Sequence, residues 1–142
     1  MKYGTLLLPV FAAGVLFFTG CASTGAVTGT YEGPKGMNIT IYGDSCTVSL
    51  EANATTGYSW EYELSDPEVL TCTGSEYKEN RHKKGMVGTG GRQYYTFKAG
   101  KQGSTVIVFD YAQRWNGGNQ GDRIMVNAAV SPAGTIVFAS ND

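Results

Sequence analysis

Residues 38–64 read NITIYGDSCTVSLEANATTGYSWEYEL. Three runs rich in Ile, Val, Leu, Tyr and Trp alternate apolar with polar positions, and GDS and NATTG divide them. Successive side chains of a strand point to opposite faces, so a period of two buries one face and wets the other. Gly, Asn, Asp and Ser reverse the chain between such runs. The stretch therefore reads strand, turn, strand, turn, strand.

The same rhythm continues outward. Candidate strands are 38–42, 46–52, 59–64, 69–77, 92–99, 104–112 and 123–131. They are joined by GDS, NATTG, SDPE, a charged and Gly-rich stretch over 78–91, GKQG and NGGNQGD. No segment sustains a helical period, and 20 glycines in 142 residues oppose long helices. Short strands with turn signals between them predict an all-β chain, an immunoglobulin-like antiparallel β-sandwich of about seven strands. STVIVFDYA, 104–112, is more continuously apolar and is expected to be central and buried on both faces.

Before the sandwich lies an apolar run, 6–18, preceded by Lys2 and followed by Thr19, Gly20 and Cys21. It falls short of the roughly 20 residues a spanning helix needs and fits a signal peptide. FTGC resembles a prokaryotic lipobox, which implies a lipid on Cys21. The alternative is an ordinary signal peptide cleaved nearby, with Cys21 incidental. Either places the domain outside the cytoplasm; with the lipid it sits at the cell membrane or envelope. The expected organisation is a signal peptide over 1–20, lipidated Cys21 and a flexible tether over 21–36, and one β-sandwich domain over 37–142.

Without Lys2, ten basic residues face twelve acidic ones, a net charge of −2 that offers nucleic acid no electrostatic footprint. Arg81, His82, Lys83 and Lys84 form a short run better read as a solvated loop. Cys46 and Cys72 remain as an even pair in an oxidising compartment, and each shares parity with apolar neighbours. A disulfide between them is left open: a strand between theirs would put the α-carbons about 10 Å apart, beyond the bridging limit of about 7 Å.

Three connections carry more glycine and aromatic character than plain hairpins require. NATTGYSW, 53–60, has Asn53 and Gly57 where positive φ is cheap, Thr55 and Thr56 at the tip, and Tyr58 and Trp60 of one parity to anchor the next strand. GTGG, 88–91, permits close backbone approach or serves as a loose connector. YAQRWNGG, 111–118, places Trp115 after a buried strand, either folded back or displayed. Each alone is also a plain turn. In a sandwich, however, connections after the second, fourth and sixth of these strands emerge at one end, so the three would form one composite rim.

NATTGYSW is similar to the NPTTGYxW motif of the chagasin-type inhibitors of papain-like cysteine peptidases, GTGG to their GxGG, and YAQRW to their YxRPW, in the same order. The resemblance spans about 37–131 and implies a wedge that enters the peptidase cleft reversibly. Asn53, Ala54, Thr55, Thr56, Gly57 and Tyr58 would form the central loop, with Thr55, Thr56 and Gly57 nearest the catalytic cysteine. Gly88, Thr89, Gly90 and Gly91 would lie along the substrate strand, and Gln113, Arg114 and Trp115 against the opposite wall. Ala54 stands where the family has Pro, and Gln113 and Arg114 stand where it has Arg and Pro, so both loops are expected to be less rigid.

An enzyme is not expected. His82 is the only histidine and both cysteines alternate inward, leaving no nucleophile and base pair. Ligand clusters at zinc spacing are absent from the sequence, so neither metal nor cofactor is expected. A monomer with a papain-like cysteine peptidase as partner is the expectation, and a surface adhesion or carbohydrate-binding lipoprotein is the alternative.

Overall fold

The computed structural model describes residues 26–81 and 90–139. Nine strands run through them: β1 (Gly29–Glu32), β2 (Asn38–Ile41), β3 (Ser45–Ala52), β4 (Tyr58–Leu64), β5 (Leu70–Glu79), β6 (Gly91–Ala99), β7 (Gly103–Gln113), β8 (Gln120–Val130) and β9 (Ile136–Ala139). They form two antiparallel sheets, ordered β1-β2-β3-β6-β5 and β4-β7-β8-β9. Two 3-10 turns, Pro34–Gly36 and Ala54–Thr56, complete the described elements.

Period-two alternation builds the core between the sheets. Cys46, Val48 and Leu50 of β3 are fully buried, as are Phe97 of β6 and Ile107 and Phe109 of β7. Aromatic edges cross the gap: Tyr95 and Phe97 lie 5.9 and 6.4 Å from the Phe109 ring. Truncating such a buried ring to alanine costs about 3–5 kcal/mol.

The all-β sandwich is as expected, with corrections. The described residues hold nine strands rather than about seven. β9 carries little sequence signal, because TIVFA is short and offers few alternating positions. β1 lies inside the segment read as a tether, so the folded body starts before Met37. Its residues GTYE look like linker, and only pairing of Gly29–Glu32 with β2 makes them a strand. β7 is central but is not buried on both faces. Its outer positions Val106 and Val108 stay half-buried, since they face away from the second sheet. Cys46 and Cys72 are free thiols, not a disulfide. Both pair with Phe97, from opposite sides, so β6 separates them by two inter-strand spacings, about 10 Å.

Candidate functional site

The register decides where the three glycine-bearing connections emerge. Ala52, at the end of β3, pairs with Gly91, and Gly91 pairs in turn with Glu79 at the end of β5. In the facing sheet, Tyr58 at the start of β4 pairs with Gln113 at the end of β7. Residues 53–57, the flanking Asn80 and Gly90 of the second connection, and residues 114–119 therefore lie at the same end of the sandwich. A hydrogen bond ties the sheets there, the Asn53 backbone N–H donating to the Tyr111 hydroxyl at 2.9 Å.

The first loop is closed by its own side chains. Asn53 Oδ1 accepts from the Thr55 N–H at 3.1 Å and the Thr55 hydroxyl at 2.6 Å, the N-cap geometry its type favours. The Thr56 hydroxyl donates to Asn53 O at 2.7 Å, and Gly57 turns the chain at φ 76. Ala54, Thr55 and Thr56 are exposed, while Asn53, Gly57 and Tyr58 are half-buried. Beneath them Tyr58 packs on Tyr111 at 5.2 Å, and Trp60, stacked on Tyr111 at 4.8 Å, donates its indole N–H to Glu51 O at 2.8 Å. Ala54, lacking the ring of proline, keeps an N–H that donates to the Tyr77 hydroxyl at a long 3.4 Å.

The third loop is locked onto the first. The Trp115 ring lies against Gly57, where any β-carbon would collide with it, yet the residue remains 54% exposed. Gln113 Nε2 donates to Thr56 O at 3.2 Å, and its Oε1 accepts from the Asn119 N–H at 3.0 Å. Arg114 turns away: it pairs with Glu61 at 3.3 Å and donates to Asp110 O at 2.7 Å, along the sheet's outer face.

Of the second loop, Gly88 and Thr89 lie outside the described residues, as do Cys21 and His82. Gly90 O accepts from the Asn80 N–H at 2.9 Å, closing the base of the loop beside Ala52. Gly91 is buried within β6, and a β-carbon there would strike Lys78 O and the Tyr77 ring. Its missing side chain thus serves the fold. Tyr77 and Tyr111 prop the first loop from below, a role that the sequence does not reveal. Their alternation parity placed them on strands but could not show that their hydroxyls reach across.

The site offers shape and hydrogen bonding rather than reactivity. Burial pushes the Cys46 thiol up to about 12, so it stays protonated in the core. No group of three or more His, Cys, Asp or Glu able to hold a metal ion occurs among the described residues. The fold and the loop end define an antiparallel β-sandwich with its glycine-bearing connections gathered and hydrogen-bonded together at one end.

Residues 40–129 match the family described as chagasin family peptidase inhibitor I42, and the chain belongs to that family. Amoebiasin-1 of Entamoeba histolytica is 33% identical over 85 residues, 59% of this chain and 80% of that protein. Amoebiasin-2 of the same organism is 27% identical over 89 residues, 63% of this chain and 72% of that one. The crystal structure of the cysteine protease inhibitor EhICP2, also from Entamoeba histolytica, aligns with a TM-score of 0.53 at 24% identity, covering 60% of this chain and 77% of that chain. It shows a shared fold. Membership bears out the resemblance read from the three motifs. Its members are peptidase inhibitors, so this chain is an inhibitor and not an enzyme.

Proposed function

We propose that the chain inhibits papain-like cysteine peptidases reversibly and without a covalent bond, its loop end wedging into the active-site cleft. The observation that carries this reading is the packing of Trp115 on Gly57 together with the Gln113 bond to Thr56 O, which fuses two of the loops into one stiff tip. Stiffness matters because ordering loops on binding consumes affinity, and a preorganised interface of about 800 Å² per partner reaches nanomolar dissociation constants. Thr55, Thr56 and Gly57 would face the catalytic cysteine, with Trp115 and the base of the second loop at the flanks. A turn closed by its own hydrogen bonds offers the nucleophile no extended scissile bond in attack geometry.

The family is a family of peptidase inhibitors, and the solved neighbour is titled a cysteine protease inhibitor. Nothing of comparable weight supports the adhesive or glycan-binding alternative. We further propose that the chain acts as a monomer, exported and held at the cell envelope by a lipid on Cys21. The test is papain hydrolysis of a small fluorogenic substrate. Reversible inhibition weakened by Thr56→Ala and by Trp115→Ala is expected. Inhibition indifferent to both changes would remove the loop assignment.

A further inference from the structure

Four connections leave the loop end, not three, because β1 adds the turn between itself and β2. Lys35, within that turn, is the one non-glycine residue at positive φ among the described residues, at φ 57, and Gly36 follows at φ 69. A lysine in this left-handed region is strained where glycine or asparagine would not be, and such strain persists only where surroundings enforce it, often at sites of function. Arg92 enforces it: Nη2 donates to Gly36 O at 2.6 Å and to Ser49 Oγ at 2.9 Å. Lys35 Nζ then reaches Asp122 Oδ1 of the facing sheet at 3.3 Å, with 62% of its side chain exposed.

This bridge crosses the mouth between the sheets and bounds a polar recess of about 540 Å³, whose other walls include Asn53, Asn80, Gly90 and Tyr111. An ion pair so exposed adds little to stability, so the fold alone does not account for a lysine on strained backbone there. Asn53 opens the central loop, which puts Lys35 on the shoulder of the proposed wedge. When a wedge fills a cleft, its shoulder faces the cleft wall.

We propose that the turn between β1 and β2 is a fourth contact loop, in which Lys35 presents its ammonium to a carboxylate on the wall of the peptidase cleft. The proposal rests on the cysteine-peptidase reading above. Lysine carries a compact cation on a flexible stem and can trade Asp122 for a carboxylate of the partner at little cost, because both are solvated acids. Lys35 would thus favour peptidases with acidic cleft walls. As for charges at the rim of an interface, its effect should fall mainly on association rate and fade with salt.

The test measures inhibition and association rate for the protein and its K35E, K35G, D122N and W115A variants, against papain-like peptidases ordered by cleft-wall charge. K35E should raise the inhibition constant about fivefold for the most acidic wall, less for neutral walls, and less in about 0.5 M salt. K35G, relieved of backbone strain, should melt no lower than the parent and still lose affinity, while D122N should keep or gain it. Unchanged constants for K35E and K35G beside a weakened W115A would overturn the fourth loop and leave the wedge standing. Equal losses in K35E and D122N would also overturn it, since the internal bridge would then be what matters. If W115A too were without effect, the wedge itself would be refuted and the fourth loop with it.

Discussion

Replacing Gly57 with alanine strikes the place where the first and third loops meet. At φ 76 an L side chain costs about 1–2 kcal/mol. The new β-carbon would also occupy the space of the Trp115 ring, which has to leave its seat. The two effects together predict a loss of about 2 kcal/mol and a melting temperature roughly 5–10 °C lower. Tryptophan truncations at the centre of interfaces commonly cost more than about 2 kcal/mol of binding, so the inhibition constant against papain should rise at least about tenfold. Calorimetry and inhibition kinetics on Gly57→Ala, Trp115→Ala and the double variant complete a cycle. Without the ring there is no collision, so the second change should cost less in the presence of the first. A Gly57→Ala protein with parental melting and inhibition, or strictly additive losses, would refute the description of a locked tip.

Tyr111→Phe removes the acceptor of the Asn53 N–H while leaving the aromatic stack. It should cost about 1 kcal/mol in urea unfolding and raise the inhibition constant by a factor of about three to ten as the loop loosens. Arg92→Ala deletes bonds to Gly36 O and Ser49 from a guanidinium whose side chain is only 22% exposed. Its urea midpoint should fall by the equivalent of about 1.5–3 kcal/mol, with Arg92→Lys recovering only part because a lysine lacks the fork. Burial raises the Cys46 thiol from an ordinary 9.0 to about 12, so the native state favours the protonated form. That stability is complete below pH 9 and is lost as pH climbs toward 12, by at most about 1.4 kcal/mol per pH unit. Tyr95, also raised by burial from 10.0 to about 12, adds to the decline at the upper end. Urea midpoints should therefore fall between pH 9 and 11, and Cys46→Val should make that fall shallower.

The parts of the fold legible in sequence were those with alternation long enough to count. β3, β7 and β8 bury alternate residues at Cys46, Val48 and Leu50, at Thr105, Ile107 and Phe109, and at Ile124, Val126, Ala128 and Val130, and their turns carry Gly, Asn or Asp. β1 and β9 have four residues each and are strands only because a neighbour supplies hydrogen bonds, which no local pattern records. The three loops were legible as motifs, and the strand count placed them at one end. What joins them was not. Gln113 breaks the familiar pattern yet bonds to Thr56 O, and Arg114 is drawn to Glu61 on the outer face. Such cross-chain choices depend on distances fixed by register, as does the separation of Cys46 from Cys72 across β6.

The most direct measurement asks whether the tip occupies the peptidase cleft. Binding of the protein to papain is measured by calorimetry twice, once with the cleft open and once with a peptide-sized irreversible ligand attached to the catalytic cysteine and filling it. Tight binding to open papain and loss of at least about a hundredfold in affinity for the filled enzyme is the predicted result. Equal binding to both forms, as a complex of all three components, would contradict it.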